Sequence, residues 1–267
     1  MERYHASKMD PDRPRQLLET IGAPQKQYAA MHIAGTKGKG SVAAMSAAAL
    51  QASGLRVGLY TSPHLRDFRE RIRVLTPDDK DGKISKQEFV TSLHEIKEIE
   101  PSFPGITWFE IVTAVAFSHF ASRQVDVAVV EVGLGGRLDA TNVLTPLVSI
   151  ITSLSLDHTN LLGDTLAEIA AEKGGIIKSE VPVIIAPQSP EALASLREIA
   201  AKEQSPLEIV GHDWQYSGLN HLLSVTRSPF EDYVPVGTTF EVGLAGSHQL
   251  ENAMLAIAAL RPFQEQY

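Results

Sequence analysis

The stretch Met31-His-Ile-Ala-Gly-Thr-Lys-Gly-Lys-Gly-Ser41 restricts the fold more than any other part of the chain. The apolar run Ala29–Ala34 reads as a buried strand, and Ser41-Val-Ala-Ala-Met-Ser-Ala-Ala-Ala-Leu50 reads as a strong helix former. A glycine-rich turn between a strand and a helix is the setting of a phosphate-binding loop. Gly35, Gly38 and Gly40 let the backbone turn sharply and bring N–H groups close to an anion, with Thr36 and Lys37 between them. In such a loop Lys39 places its ammonium on the terminal phosphates and Ser41 offers its hydroxyl to magnesium. The spacing is not that of the standard P-loop. Two residues separate Gly35 from Gly38, and Gly40 stands between Lys39 and Ser41.

A chain of 267 residues with 43 % hydrophobic content can bury a substantial core as one large or two small domains. The formal net charge of −8 argues against general nucleic-acid binding. It does not oppose a phosphate site, which backbone amides and one or two lysines build locally. With no cysteine, disulfides and thiolate metal sites are excluded, and any metal must take oxygen or nitrogen ligands. No basic-then-apolar leader opens the sequence. The least charged stretch, Ala140 to Leu156, holds Pro146 and many Ser and Thr residues and does not read as membrane-spanning. A cytoplasmic location is the expectation.

Residues 1–28 are polar and proline-bearing, with a short helix expected over Arg15–Ile21. Leu55–Tyr60 reads as a second strand running into the turn Thr61-Ser-Pro-His64. Arg69, Arg71 and Arg73 alternate, so on an extended segment they share one face. They would then grip a polyanion or protect a sheet edge. Capping boxes predict helices starting at Ser85 (with Glu88), Thr107 (with Glu110) and Thr165 (with Glu168). The middle one, Trp108 to Ser122, is apolar enough to be buried. Asp126–Val132, Leu147–Thr152 and Val181–Ala186 are near-continuous β-branched runs, as in central parallel strands covered on both faces. Ser189-Pro190 starts another helix. From about residue 207, Leu207–Val210, His221–Thr226 and Thr238–Leu244 read as short antiparallel strands, before a closing helix from Ala253 to Leu260. The fold class is therefore α/β, a mostly parallel sheet flanked by helices with a small β-rich extension.

Four side chains fall at strand ends or beside the loop, and each has two readings. Glu131 ends an apolar strand just before Gly133-Leu-Gly-Gly136. It is placed either to hold Mg²⁺ or to pair with an arginine such as Arg137. His158 follows the next strand and reads as a metal ligand, a general base or an ordinary surface imidazole. Ser62 is a phosphate or metal contact or a turn former. Lys173 alone reads as a solvated helix lysine.

Together these pieces resemble the folylpolyglutamate synthase/dihydrofolate synthase family of the Mur ligase superfamily. The matching segments, in family order, are His32–Ser41, Thr61-Ser-Pro-His-Leu65, Glu70-Arg-Ile-Arg73, Thr107-Trp-Phe-Glu110, Glu131–Asn142, Ser155-Leu-Asp-His158, Glu172–Lys178 and His248–Ala253. The resemblance implies a P-loop ATPase domain in which Gly35, Thr36, Lys37, Gly38, Lys39, Gly40 and Ser41 hold ATP and Asn252 contacts the nucleotide. It implies two Mg²⁺ ions, with Ser41, Ser62, Glu131 and His158 as ligands. Lys173 becomes a lysine carbamylated by CO₂, which makes Lys39, His158 and Lys173 the catalytic set. Thr107, Trp108, Phe109, Glu110, Leu138 and Arg71 would line the pterin or folate pocket. The implied reaction adds L-glutamate to dihydropteroate or to a folate polyglutamate through an acyl phosphate, in a monomer without nucleic-acid or membrane partners.

The sequence also departs from the family pattern. Lys37 stands where Asn is common, and Arg69 where Asn is frequent. Family members continue into a second, smaller domain, whereas this sequence ends soon after Asn252. The expected layout is one ATP-binding domain over 1–267, with its core at 29–200, a β extension at about 205–246 and a closing helix at 247–267. The family's C-terminal domain would then be absent. Two further readings follow: a MgATP-binding module that ligates nothing unaided, and a sister ligase for cell-wall precursors. The Thr-Trp-Phe-Glu and Leu-Asp-Ala-Thr-Asn segments argue against the second.

Overall fold

Because the strands are apolar on both faces, they can be satisfied only by a sheet covered on both sides. A computed structural model describes residues 10–267; the first nine residues of the polar opening lie outside the described residues. The main sheet has seven strands: β1 (Ala29–Ala34), β2 (Val57–Tyr60), β3 (Ile72–Leu75), β4 (Val127–Glu131), β5 (Val148–Ile151), β6 (Val183–Ile185) and β7 (Leu207–Ile209). Their order is β3-β2-β4-β1-β5-β6-β7. Every pairing is parallel except that of β2 with β3.

The pleat sorts the side chains. Met31, Ile33, Val127, Val129, Val148 and Ile150 face one side, against α2 (Lys39–Ala52) and α8 (His248–Ala259). Ala30, Ala128 and Val130 face the other, against α1 (Asp12–Thr20) and α4 (Trp108–Ser122), with α3 (Lys86–Ile99) outside α4. A third cluster joins Ile151, Val183 and Ile185 to α6 (Leu166–Gly174) and α7 (Pro190–Lys202). Each fully buried Leu, Ile, Val or Phe in these layers contributes about 1.5–3 kcal/mol. Packing is close enough to forbid a methyl at Gly58 on β2, where a Cβ would stand 2.8 Å from the ring of Phe120 on α4.

All three expected capping boxes are formed, at Ser85/Glu88, Thr107/Glu110 and Thr165/Glu168. Ser189 caps α7 with Pro190 in the first helical position. The single-turn helix α5 (Thr159–Leu162) follows β5.

Four expectations need correction. Leu207–Ile209 is not part of the antiparallel extension; as β7 it pairs parallel to β6. The extension is a separate three-stranded antiparallel sheet of β8 (Gln215–Leu219), β9 (Leu222–Arg227) and β10 (Thr239–Glu241). The closing helix begins at His248, and α9 (Arg261–Gln266) follows it. Arg69, Arg71 and Arg73 do not share an extended face. Phe68–Arg71 is a 3₁₀ turn, capped by Asp67 and Glu70, and only Arg73 lies on β3. Asp67 holds Arg69, and Asp81 holds Arg73 at 2.9 Å.

The small sheet is anchored by Trp214, which is fully buried and donates from Nε1 to Glu208 of β7 at 2.6 Å. Arg261 of α9 reaches the same carboxylate at 3.2 Å and lies 3.9 Å over the Phe230 ring. Burial pushes the Glu208 carboxyl above its ordinary range, against the pull of Trp214 and Arg261.

Candidate active site

The connection from β4 to β5 passes over β1, so the loops leaving β1, β4 and β5 emerge side by side at the carboxyl edge of the sheet. That is the ligand-binding crevice of open α/β sheets. The β1 loop turns through Gly35 (φ 143°) and Gly38 (φ 91°). A Cβ on Gly35 would fall 1.8 Å from Thr152 Oγ1, and one on Gly38 would fall 2.4 Å from Asn252 Oδ1. Thr36 and Lys37 donate their backbone N–H groups to Ser153 O at 3.0 and 3.2 Å, which stitches the loop to the segment after β5. Gly38 has no side chain to cap α2, and among the described residues no side chain accepts from the amides that open this helix. Lys39 arches back over the loop, its Nζ 3.5 Å from Thr36 O. Ser41 lies half-buried in the first turn of the same helix.

Around this loop stand the other expected residues. Lys173, on α6, is buried and donates from Nζ to Gly35 O at 2.9 Å. Burial, followed by the charge of Lys39, lowers its pKa to about 8. His158 sits in the left-handed region (φ 49°) at the start of α5, with its ring exposed and Nε2 3.8 Å from Asp157 Oδ1. Gly35, Lys39, Gly133, Leu134, Gly135, His158 and Lys173 line one hollow.

Glu131 lies beside the first turn of α2, next to Gly40. It is 5 % exposed, accepts from Ser62 N at 3.0 Å, and has an oxygen 3.7 Å from where a Cβ on Gly40 would stand. Burial raises its pKa, while the Ser62 amide and Lys39 oppose the rise. The arginine alternative does not hold, since Arg137 pairs with Glu172 at 2.8 Å. Among the described residues no lysine or arginine lies within ion-pair distance of Glu131. Asn252, on α8, is buried against Gly38 and donates to Gln249 Oε1 at 2.9 Å. A buried carboxylate without a cation, next to uncapped amides and two lysines, fits a nucleotide polyphosphate with a hard divalent ion. Among the described residues, no group of three or more carboxylates and imidazoles is assembled as a complete metal site.

The residues expected to line a substrate pocket divide into two groups. Glu110 is buried, accepting from Thr107 N at 2.6 Å and pairing with Arg13 at 2.9 Å, so both of its oxygens serve the fold. Phe109 is buried beside Tyr60 and against Gly133. Trp108, in contrast, is 52 % exposed, 6.0 Å from Phe68. Arg71 lies 5.3 Å over Phe68 and donates from Nε to His64 Nδ1 at 3.1 Å. Leu138 is half-buried on the loop after β4.

That loop also holds a residue to which the sequence reading gave no role. Asp139 is 3 % exposed and accepts from Leu134 N at 2.9 Å and Thr141 N at 3.0 Å. A lone aspartate three residues past a glycine pair is the only signal that could have marked it.

Comparison with known proteins matches the fold. The Mur ligase middle domain family model matches residues 33–260. The dihydrofolate synthase/folylpolyglutamate synthase of Bacillus subtilis is 38 % identical over 250 residues, which are 92 % of this chain and 58 % of that protein. A solved FPGS–AMPPCP complex superposes with a TM-score of 0.85 at 36 % identity, over 96 % of this chain and 64 % of that one. An FPGS–AMPPCP–folate complex gives 0.84 at 36 % identity, over 99 % and 65 %. The chain thus spans about three fifths of the length of these relatives. With this strand order and a family match across residues 33–260, the chain belongs to the Mur ligase middle domain family.

Proposed function

We propose that this chain supplies the nucleotide-binding and acyl-activating site of an ATP-dependent ligase that adds L-glutamate to dihydropteroate, to a folyl(poly)glutamate, or to both. The observation that carries this reading is the hollow shared by Gly35 and Lys39 of the loop with His158 and Lys173, with Glu131 beside Gly40 of the same loop. Gly35–Ser41 would cradle the triphosphate, with Asn252 against the nucleotide. Ser41, Ser62, Glu131 and His158 would hold two Mg²⁺ ions, which when bound offset phosphate charge. The acyl substrate's carboxylate oxygen attacks the γ-phosphorus, the bond to the β-phosphate oxygen breaks, and ADP leaves. The neutral amine of glutamate then attacks the acyl carbon, phosphate departs, and the nitrogen gives up a proton to leave an amide. Lys39 stabilises the charge that develops on the transferred phosphoryl group.

Lys173 fits a carbamate. The neutral amine would bond to CO₂ and release a proton, and burial, which lowers the Lys173 pKa to about 8, favours that neutral form. Thr107, Trp108, Phe109, Glu110, Leu138 and Arg71 are proposed as the wall of the pterin or folate pocket. Phe109, Trp108 and Arg71 would touch substrate, and Glu110 would shape the wall from behind.

The test is glutamate-dependent phosphate release from ATP with dihydropteroate or tetrahydrofolate as acceptor. Product formation supports the ligase. A second reading is a unit that binds MgATP and ligates nothing alone. Nucleotide binding without product would select it.

A further inference from the structure

His32 is an exception within β1. It is a fully buried imidazole in an otherwise apolar strand, three residues before Gly35. Its Nε2 lies 2.9 Å from Thr141 Oγ1, and Nδ1 has no hydrogen-bond partner among the described residues. Thr141 has one hydroxyl hydrogen, which it donates to Asp139 Oδ1. The hydroxyl oxygen is therefore left as an acceptor, and His32 Nε2 must be the donor. Nδ1 is then an unprotonated ring nitrogen, a milder group to leave unpaired than a buried N–H. Burial, helped by the charge of Lys178, lowers the His32 pKa to about 3, so the ring is neutral and only its tautomer matters.

The relay continues. Asp139 Oδ2 accepts from Leu134 N at 2.9 Å, and Asp139 N donates to Gly136 O at 3.1 Å. The loop so held packs on α6, where Arg137 N donates to Glu172 O at 2.8 Å and a Cβ on Gly136 would overlap Lys173 O at 2.8 Å. Lys173 Nζ returns to Gly35 O at 2.9 Å. Both ends of this circuit are on or beside β1.

We infer that His32 is a positioning residue: acting through Thr141 and Asp139, it locks the Gly133–Gly136 loop against α6 and so fixes Lys173 and the phosphate loop relative to each other. The inference rests on the nucleotide-site reading only for its effect on binding, not for the relay itself.

The test uses the full chain. Histidine ¹⁵N spectra should show the Nε2–H tautomer of His32, unchanged between about pH 6 and 8. In His32→Leu, the Leu134 amide should exchange about tenfold faster, and AMPPCP should bind about tenfold more weakly. His32→Gln, whose side-chain amide can donate from nearly the same place, should restore both to within about threefold. If His32→Leu does not fold, Thr141→Val interrupts the relay at its middle and should give the same two changes. An Nδ1–H tautomer overturns the inference. So does a folded His32→Leu or Thr141→Val with unaltered Leu134 exchange, or a His32→Gln no better than His32→Leu. If the tautomer and exchange results hold while the wild type binds no AMPPCP, the nucleotide reading fails and the relay stands.

Discussion

Lys173 shows how far a single side chain can be displaced from its ordinary behaviour. Its folded pKa of about 8 lies below that of an exposed lysine. The folded state therefore binds fewer protons than the unfolded one between pH 8 and the ordinary lysine value, and stability rises with pH across that window. Below pH 8 both states are protonated and the penalty is complete. Lys173→Met should therefore stabilise the fold at pH 7 by about 1–2 kcal/mol, after loss of the Gly35 bond, and the gain should vanish above about pH 10.5. Urea unfolding at the two pH values measures this, and the same variant should have no ligase turnover. Lys39→Ala should lower glutamate-dependent phosphate release at least about 100-fold, the usual effect of deleting one preorganised electrostatic donor. A rate near wild type would remove Lys39 from the chemistry. Gly38→Ala forces a Cβ to within 2.4 Å of Asn252 Oδ1 at a φ of 91°. Its AMPPCP affinity should fall at least about tenfold, read by calorimetry.

At the scale of elements, legibility followed how many physical signals each segment carried. Helix α4 was readable to the residue because Thr107 and Glu110 mark its start and an apolar run fills its body. Strands β1, β4 and β5 were readable because layers on both faces demand continuous apolar residues. Strand β7 was visible as a strand but not as a member of the main sheet, since three residues with a central Glu208 carry no trace of what they pair with. Strand β8 escaped because Ser217, Gly218 and Leu219 are exposed and have no alternation to preserve. Within the closing segment expected at 247–267, the helical pattern was legible only from Ala253, because the first turn of α8 is mostly polar and Ser247 makes no side-chain cap bond. In the site, Lys173 and His158 were placed by resemblance, whereas the His32–Thr141–Asp139 relay depends on contacts 109 residues apart that no local pattern encodes. One element contact invites a double-mutant test. Gly58→Ala should cost about 1–3 kcal/mol by overpacking β2 on α4, and Phe120→Leu in the same chain should recover part of it. Additive losses would show that the two sites do not meet.

For the whole molecule, the crevice lies between loops from three adjacent strands and the first turn of α2, with Asn252 of α8 against Gly38, so bound nucleotide would tie together parts of the chain far apart in sequence. Stability should therefore depend on ligand. AMPPCP with magnesium at about 100 times its dissociation constant should add about 2.7 kcal/mol to unfolding. Lys39→Ala at the same concentration should show little of that gain. A melting temperature insensitive to nucleotide in the wild type would count against the site.

The two tryptophans occupy opposite environments: Trp214 is sealed under the small sheet and Trp108 stands half in water beside Phe68. Their emission should therefore separate by wavelength, blue for the interior indole and red for the outer one. Iodide should quench only the red component. The molecule thus carries its own optical gauge, and an aromatic ligand that settled beside Trp108, as the proposed pocket would have it, should dim one colour while leaving the other untouched.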